Sequence, residues 1–203
     1  MNKLAKALNR LLDDSELTAP LAAVLACASK RGRVSYIEIE KIVTDNLEDV
    51  LLLGNKWRLL IPTRVVKSGA WEDRPLVCQP GESYELPNAV RYLVENANKT
   101  GCWDPTYAIT EVFREMGEPA WQQVPELVRE LGKQAEGYQI SAAQIRQACI
   151  SLGLGDRVGV LIAELKGSGV ISPKLSSLPE VFRAGSPLYE LNPSLVIKKG
   201  EEA

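Results

Sequence analysis

The chain has 203 residues with 24 basic and 26 acidic side chains, a net charge of -2, a pI near 5.4 and a mean hydropathy of -0.09, and it contains no histidine. That profile is the one expected of a soluble globular protein of one or two domains, and it lacks the overall basic excess of a strong nucleic-acid binder. Without histidine the commonest general base is missing, and with it every Ser-His or Cys-His nucleophile pair.

In chain order, Met1 to Asp14 is an amphipathic basic segment without the apolar stretch and small-residue site of a secretory signal. Leu21, Val24, Leu25 and Ala28 then form an apolar stripe at helical spacing, followed by an extended link at Arg31-Gly-Arg-Val34. Ile37 to Val43 and Leu47 to Gly54 read as a second and third helix, Trp57 to Val66 as a strand, Lys67 to Pro75 as a loop tip, and Leu76 to Cys78 as a returning strand that Tyr84-Glu-Leu-Pro87 extends. Asn88 to Asn98 and Asp104 to Met116 predict two connecting helices, the second opened by Asp104-Pro105, where aspartate caps and proline fits the first turn. Such helices pack two modules together or build a dimer surface.

The second half repeats the plan. Val124, Leu127, Val128 and Leu131 mark a helix, and Gly137 to Ile140 an extended link. Ser141-Ala-Ala-Gln144 is a capping-box pattern ahead of a helix over Ala142 to Leu152. Val158, Leu161, Ile162 and Leu165 make the third stripe, which Gly167 and Gly169 stop. Val170 to Ser172 and Leu188 to Leu191 are strands on either side of a long polar loop that carries Lys174 and Arg183. Tyr84-Glu-Leu-Pro87 and Tyr189-Glu-Leu-Asn192 each follow a long polar loop, so the two halves read as a duplication of one architecture.

This succession of helix, short strand, helix, helix, strand, wing and strand resembles the winged helix-turn-helix family. The resemblance covers residues 17–87 and 120–195 and implies a mainly α fold with small β-hairpins. The expected domains are 1–87 and 119–203, joined by a helical connector at 88–118. Winged helices bind nucleic acid or other proteins, so double-stranded DNA, a partner protein and a second copy of the chain are the expected partners.

Charge distribution places the candidate nucleic-acid surface in the first half. Residues 1–100 hold 14 basic and 13 acidic side chains, against 10 and 13 in residues 101–203. Lys56 to Lys67 contains Lys56, Arg58, Arg64 and Lys67 and no acid, Arg31 and Arg33 add a second cluster, and Arg74 flanks the wing. Basic side chains on such a hairpin meet phosphates or the minor groove, whereas the alternative is a solvated surface offset by Glu72 and Asp73. Trp71, at the loop tip, either folds back onto its own module or marks a contact surface for a partner protein or a base. Trp57 is expected at the edge of the core, and Trp103 and Trp121 between the modules. The third helix of the second half, whose charges Asp156, Arg157, Glu164 and Lys166 cancel, suits protein contact better than base readout.

Two functions follow as expectations. One is a transcription-regulator type of DNA-binding protein, and the other is a non-enzymatic protein-interaction scaffold. The scattered Cys27, Cys78, Cys102 and Cys149 form no CxxC pair and read as reduced structural thiols, with no metal site. No phosphate loop or dinucleotide fingerprint implies a cofactor. No run of about 18 apolar residues implies a membrane span, which leaves a cytoplasmic location as the simplest expectation.

Overall fold

The computed structural model describes residues 2–12, 14–175 and 185–196, so the second wing between 176 and 184, Arg183 included, lies outside the described residues. The fold is mixed α+β and mainly helical, with two small antiparallel three-stranded sheets. Helix α1 (Lys3–Leu12) buries Leu4, Ala5, Ala7, Leu8 and Leu12 and leaves its basic face outside. The first half continues with α2 (Ser15–Ser29), β1 (Arg33–Ser35), α3 (Tyr36–Ile42), α4 (Leu47–Lys56), β2 (Ile61–Pro62) and β3 (Ser83–Glu85). Helices α5 (Asn88–Thr100) and α6 (Pro105–Glu115) lead to the second half: α7 (Val124–Gln134), β4 (Gln139–Ser141), α8 (Ala142–Ser151), α9 (Val158–Gly167), β5 (Ile171–Pro173) and β6 (Leu188–Leu191).

The halves match in strand order and pairing. The strand orders are β1-β3-β2 and β4-β6-β5. Val34 faces Tyr84 and Ile140 faces Tyr189 across the inner ladders, while Pro62 and Pro173 face the same two tyrosines from the other side. Proline occupies both places because each lies on an edge strand, where its missing donor breaks no ladder bond. Two capping boxes also correspond, Ser35 with Glu38 at α3 and Ser141 with Gln144 at α8.

Both third helices end in the same turn. The Leu59 amide reaches back to the Gly54 carbonyl at 2.9 Å, as the Val170 amide does to Leu165 at 2.9 Å. The residue just before each donor is left-handed, Arg58 at φ 53° and Gly169 at φ 78°. Glycine adopts that conformation freely; arginine there carries a steric cost that its surroundings must offset.

Most expected elements stand where the periodicity placed them, including the capped helix after Ser141 and the strand Leu188–Leu191. Two strands differ. Of Trp57 to Val66 only Ile61 and Pro62 pair, because Trp57 closes α4 and Arg58 turns the chain through the left-handed region. Leu76 to Cys78 is not a strand; Leu76 and Cys78 pack half-buried on the core, and the Tyr84 hydroxyl donates to the Val77 carbonyl at 2.6 Å. The returning strand is Ser83–Glu85 instead, after the turn that Pro80 and Gly81 impose.

Two hydrophobic cores fill the molecule, and α5 walls both. Its Val90, Val94 and Ala97 belong to the first core and its Ala89 and Leu93 to the second. Helix α6 packs into the second core through Ala108, Ile109, Val112 and Phe113. Helix α5 therefore joins the halves by taking part in both interiors, and α6 extends the second.

Candidate interaction surfaces

The seven basic residues picked from the sequence separate in three dimensions. Arg58 and Arg74 point inward. Arg58 donates through Nε and Nη2 to both carboxylate oxygens of Glu190 at 2.9 and 3.2 Å, and its guanidinium lies 5.8 Å from the Trp71 ring centre. Its side chain is only 15% exposed, so this cation serves the junction between the halves and leaves no free charge for phosphate. Arg74, 16% exposed, pairs with Glu85. On the surface, Arg31 pairs with Glu38 and Arg64 with Glu82. Arg33, Lys56 and Lys67 are exposed and join no ion pair among the described residues.

Trp71 is buried, and it packs toward the second half of its own chain. Its backbone amide donates to the buried Ser172 hydroxyl at 3.0 Å. Next to it, Glu72 pairs with Lys174 and accepts from the Leu175 amide, which ties the first loop tip to β5. Trp57 is half-buried on the first core as expected, Trp103 touches both cores and donates to the Ser194 carbonyl at 3.0 Å, and Trp121 packs on the second core.

At the centre of this junction stands Asn192, with no exposed surface. Its side-chain amide donates to the carbonyls of both left-handed residues, Arg58 at 3.1 Å and Gly169 at 3.2 Å, while its Oδ1 accepts from the amide and hydroxyl of Ser194. The C-termini of α4 and α9 therefore meet at one side chain. Pro87, which holds the matching place in the first half, presses against Gly169 so closely that an added Cβ would lie 2.3 Å from the proline Cβ. The Ala89 amide in the first turn of α5 donates to the Ser168 carbonyl after α9 at 2.9 Å, aligning the positive end of one helix with the negative end of the other. An open cleft of about 560 Å3 follows the junction, with Trp71, Arg74, Glu85, Asn88, Lys166 and Ser172 in its walls.

Sequence reading missed these contacts because Arg58 and Glu190 lie far apart in the chain. One signal did point there: the phrases ending in Pro87 and Asn192 mark the two positions that meet the partner half.

The outward faces of the third helices carry little positive charge. Helix α4 exposes Glu48, Asp49, Leu52 and Lys56, and α9 exposes Gly159, Val160, Ala163, Lys166 and Gly167. Just before α9, Arg157 is held by the fully buried carboxylate of Glu118, with contacts of 3.0 and 2.6 Å. Burial opposes ionisation of Glu118, but Arg157 and the Ala120 amide outweigh it and keep the group below the usual carboxylate range. Glu164 on α9 has the opposite fate: burial, a hydrogen bond to Glu118 and the Glu118 charge push it up to about 7. Glu164 is thus the member of the pair that takes the proton. No group of three or more potential metal ligands exists among the described residues, and no helix among them is long and apolar enough to cross a membrane.

A protein-family model matches residues 2–200, and the chain belongs to that family. The match runs through both halves and the connecting helices. No curated protein and no solved structure matches the chain.

Proposed function

We propose that the chain is a non-enzymatic scaffold of two winged helix-turn-helix modules whose third helices dock a partner protein. The observation that carries this reading is the composition of the two third-helix faces. A major-groove reader presents Arg, Lys, Asn or Gln to base edges, whereas α4 leads with Glu48 and Asp49 and α9 presents Gly159, Val160 and Ala163. Depletion of charge around a small apolar centre is what a protein interface favours, and α9 has it, whereas on α4 the exposed Leu52 is ringed by charge. The element order and sheet order of each half support the winged-helix assignment, and the absence of histidine supports a non-catalytic role.

The test has two arms. Tagged full-length chain is purified from its own cells beside the Val160→Glu and Leu52→Glu variants, and a pool of random duplexes is put through selection on the wild type. A protein held in stoichiometric amount by the wild type and lost from a variant, together with no enriched duplex sequence, supports the scaffold. An enriched consensus whose binding disappears in Lys56→Ala overturns it.

That second outcome would favour a transcription-regulator type of protein contacting DNA from its first half. The exposure of Arg33, Lys56 and Lys67 without ion-pair partners is the observation on its side.

A further inference from the structure

We infer that the outward face of α1 is a docking surface for the phosphate backbone of a nucleic-acid duplex, without base readout. Helix α1 contains no acidic residue; Lys3, Lys6 and Arg10 are exposed and fall within one strip of the helix surface, since residues three and seven apart share a face. The Lys3 ammonium donates to the Lys99 carbonyl at 2.7 Å, which brings the end of α5, and with it the exposed Lys99, beside the strip. None of these four cations pairs with a carboxylate among the described residues. Carboxylates do stand near these cations along the chain, Asp14 four residues after Arg10 and Glu95 four before Lys99, without pairing with them; α1 differs from α4, where Glu48 and Asp49 share the helix with Lys56, in carrying no acid of its own.

The chemistry of the strip selects its partner. Five apolar residues of α1 are buried in the first core and the sixth, Leu11, is half-buried against it, so the helix has no wide apolar face left to insert into a bilayer, as an interfacial anchor requires. A protein interface would likewise need an apolar centre here. What remains is a row of cations spanning about 10 Å between Lys3 and Arg10, at about 1.5 Å per residue. One strand of a duplex places about three phosphates over that length. Three cations against about three phosphates is a match in number of charges, and an acidic protein that gathers unpaired positive charge on one helix gains attraction for a polyanion there despite its net charge.

The experiment is a fluorescence-anisotropy titration of full-length protein against a random-sequence duplex of about 30 base pairs, repeated between roughly 0.02 and 0.2 M salt. Three to four phosphate contacts predict a slope of about -3 in log affinity against log salt. Lys6→Glu/Arg10→Glu is the decisive variant, because both side chains are exposed and Lys3, which caps α5, stays in place; it should lose at least tenfold in affinity at low salt with an unchanged circular dichroism spectrum. Lys6→Gln/Arg10→Gln, which adds no negative charge, should reduce the slope by about two. The inference is overturned by no binding at low salt, by equal binding of wild type and both variants, by loss of binding in Lys56→Ala/Lys67→Ala instead, or by capture on vesicles rich in anionic phosphatidylserine with none on the duplex. Failure here leaves the third-helix reading intact, since α1 takes no part in it.

Discussion

The two halves share one frame and differ where they touch each other. At the left-handed turn after the third helix the first half has Arg58 and the second Gly169; at the end of the last strand the first has Pro87 and the second Asn192. Each half thus supplies one bulky and one compact member, and they interlock crosswise: Pro87 fits against Gly169, and Asn192 binds the Arg58 carbonyl. A duplication with identical residues at these places would either collide or leave carbonyls unpaired. Divergence at two positions turns two similar modules into one body.

Asn192→Ala tests that contrast most severely. It removes the donor to two buried carbonyls and the acceptor for Ser194, and at about 1 kcal/mol for each group left without a partner it should cost about 4 kcal/mol in urea unfolding. Pro87→Ala at the matching place should cost less than about 1 kcal/mol, since proline offers no such bonds. Equal losses at the two positions would refute the crosswise arrangement.

Gly169→Ala comes next, with an expected loss of about 3 kcal/mol from the positive φ together with the collision with Pro87. Arg58→Gly should cost only about 1 kcal/mol, because relief of the left-handed arginine partly offsets loss of the Glu190 pair. A gain from Gly169→Ala would show that Pro87 does not press on this backbone.

The smallest contrast is in pH dependence, and its signs oppose. In the first half Glu38 is held down at about 2, first by the Ser35 amide, then by the Ser35 hydroxyl and Arg31. Its contribution to stability is present above the ordinary value of 4.5 and is lost as the pH falls toward 2. Gln144, its counterpart in the second half, has no charge to lose. Glu164, raised to about 7, behaves in reverse: its contribution is complete below 4.5 and disappears as the pH rises through 7. Thermal unfolding across pH should therefore flatten on the acid side in Glu38→Gln and between pH 4.5 and 7 in Glu164→Gln. The same profile for both variants would show that the two carboxylates do not differ.

Local chemistry made much of the fold legible. The 3.6-residue stripes placed α2, α7 and α9, the Ser141-Gln144 pair placed the start of α8, and the repeated Tyr-Glu-Leu phrase located both inner strands. What stayed hidden depends on contact between distant segments. Arg58 and Arg74 looked like surface groups because exposure was inferred from their place along the chain, whereas Glu190 of the second half holds Arg58 and Glu85 of the first half holds Arg74. Glu38 and Glu82, which neutralise Arg31 and Arg64, lie outside the basic runs and were invisible to a count made along the chain. The basic face of α1 could be seen in its sequence, but only the packing of its apolar side chains on the first core, Leu11 half-buried and the rest buried, separates a polyanion surface from a membrane anchor.

Helix α5 lends one side to each interior, so it has no boundary at which the chain can be cut. Severing the polypeptide before it strips the first interior of Val90, Val94 and Ala97, and severing it afterwards takes Ala89 and Leu93 from the second. A fragment carrying one module exposes oil to water whichever end it keeps, and dissecting the molecule is therefore a task for point changes rather than truncation.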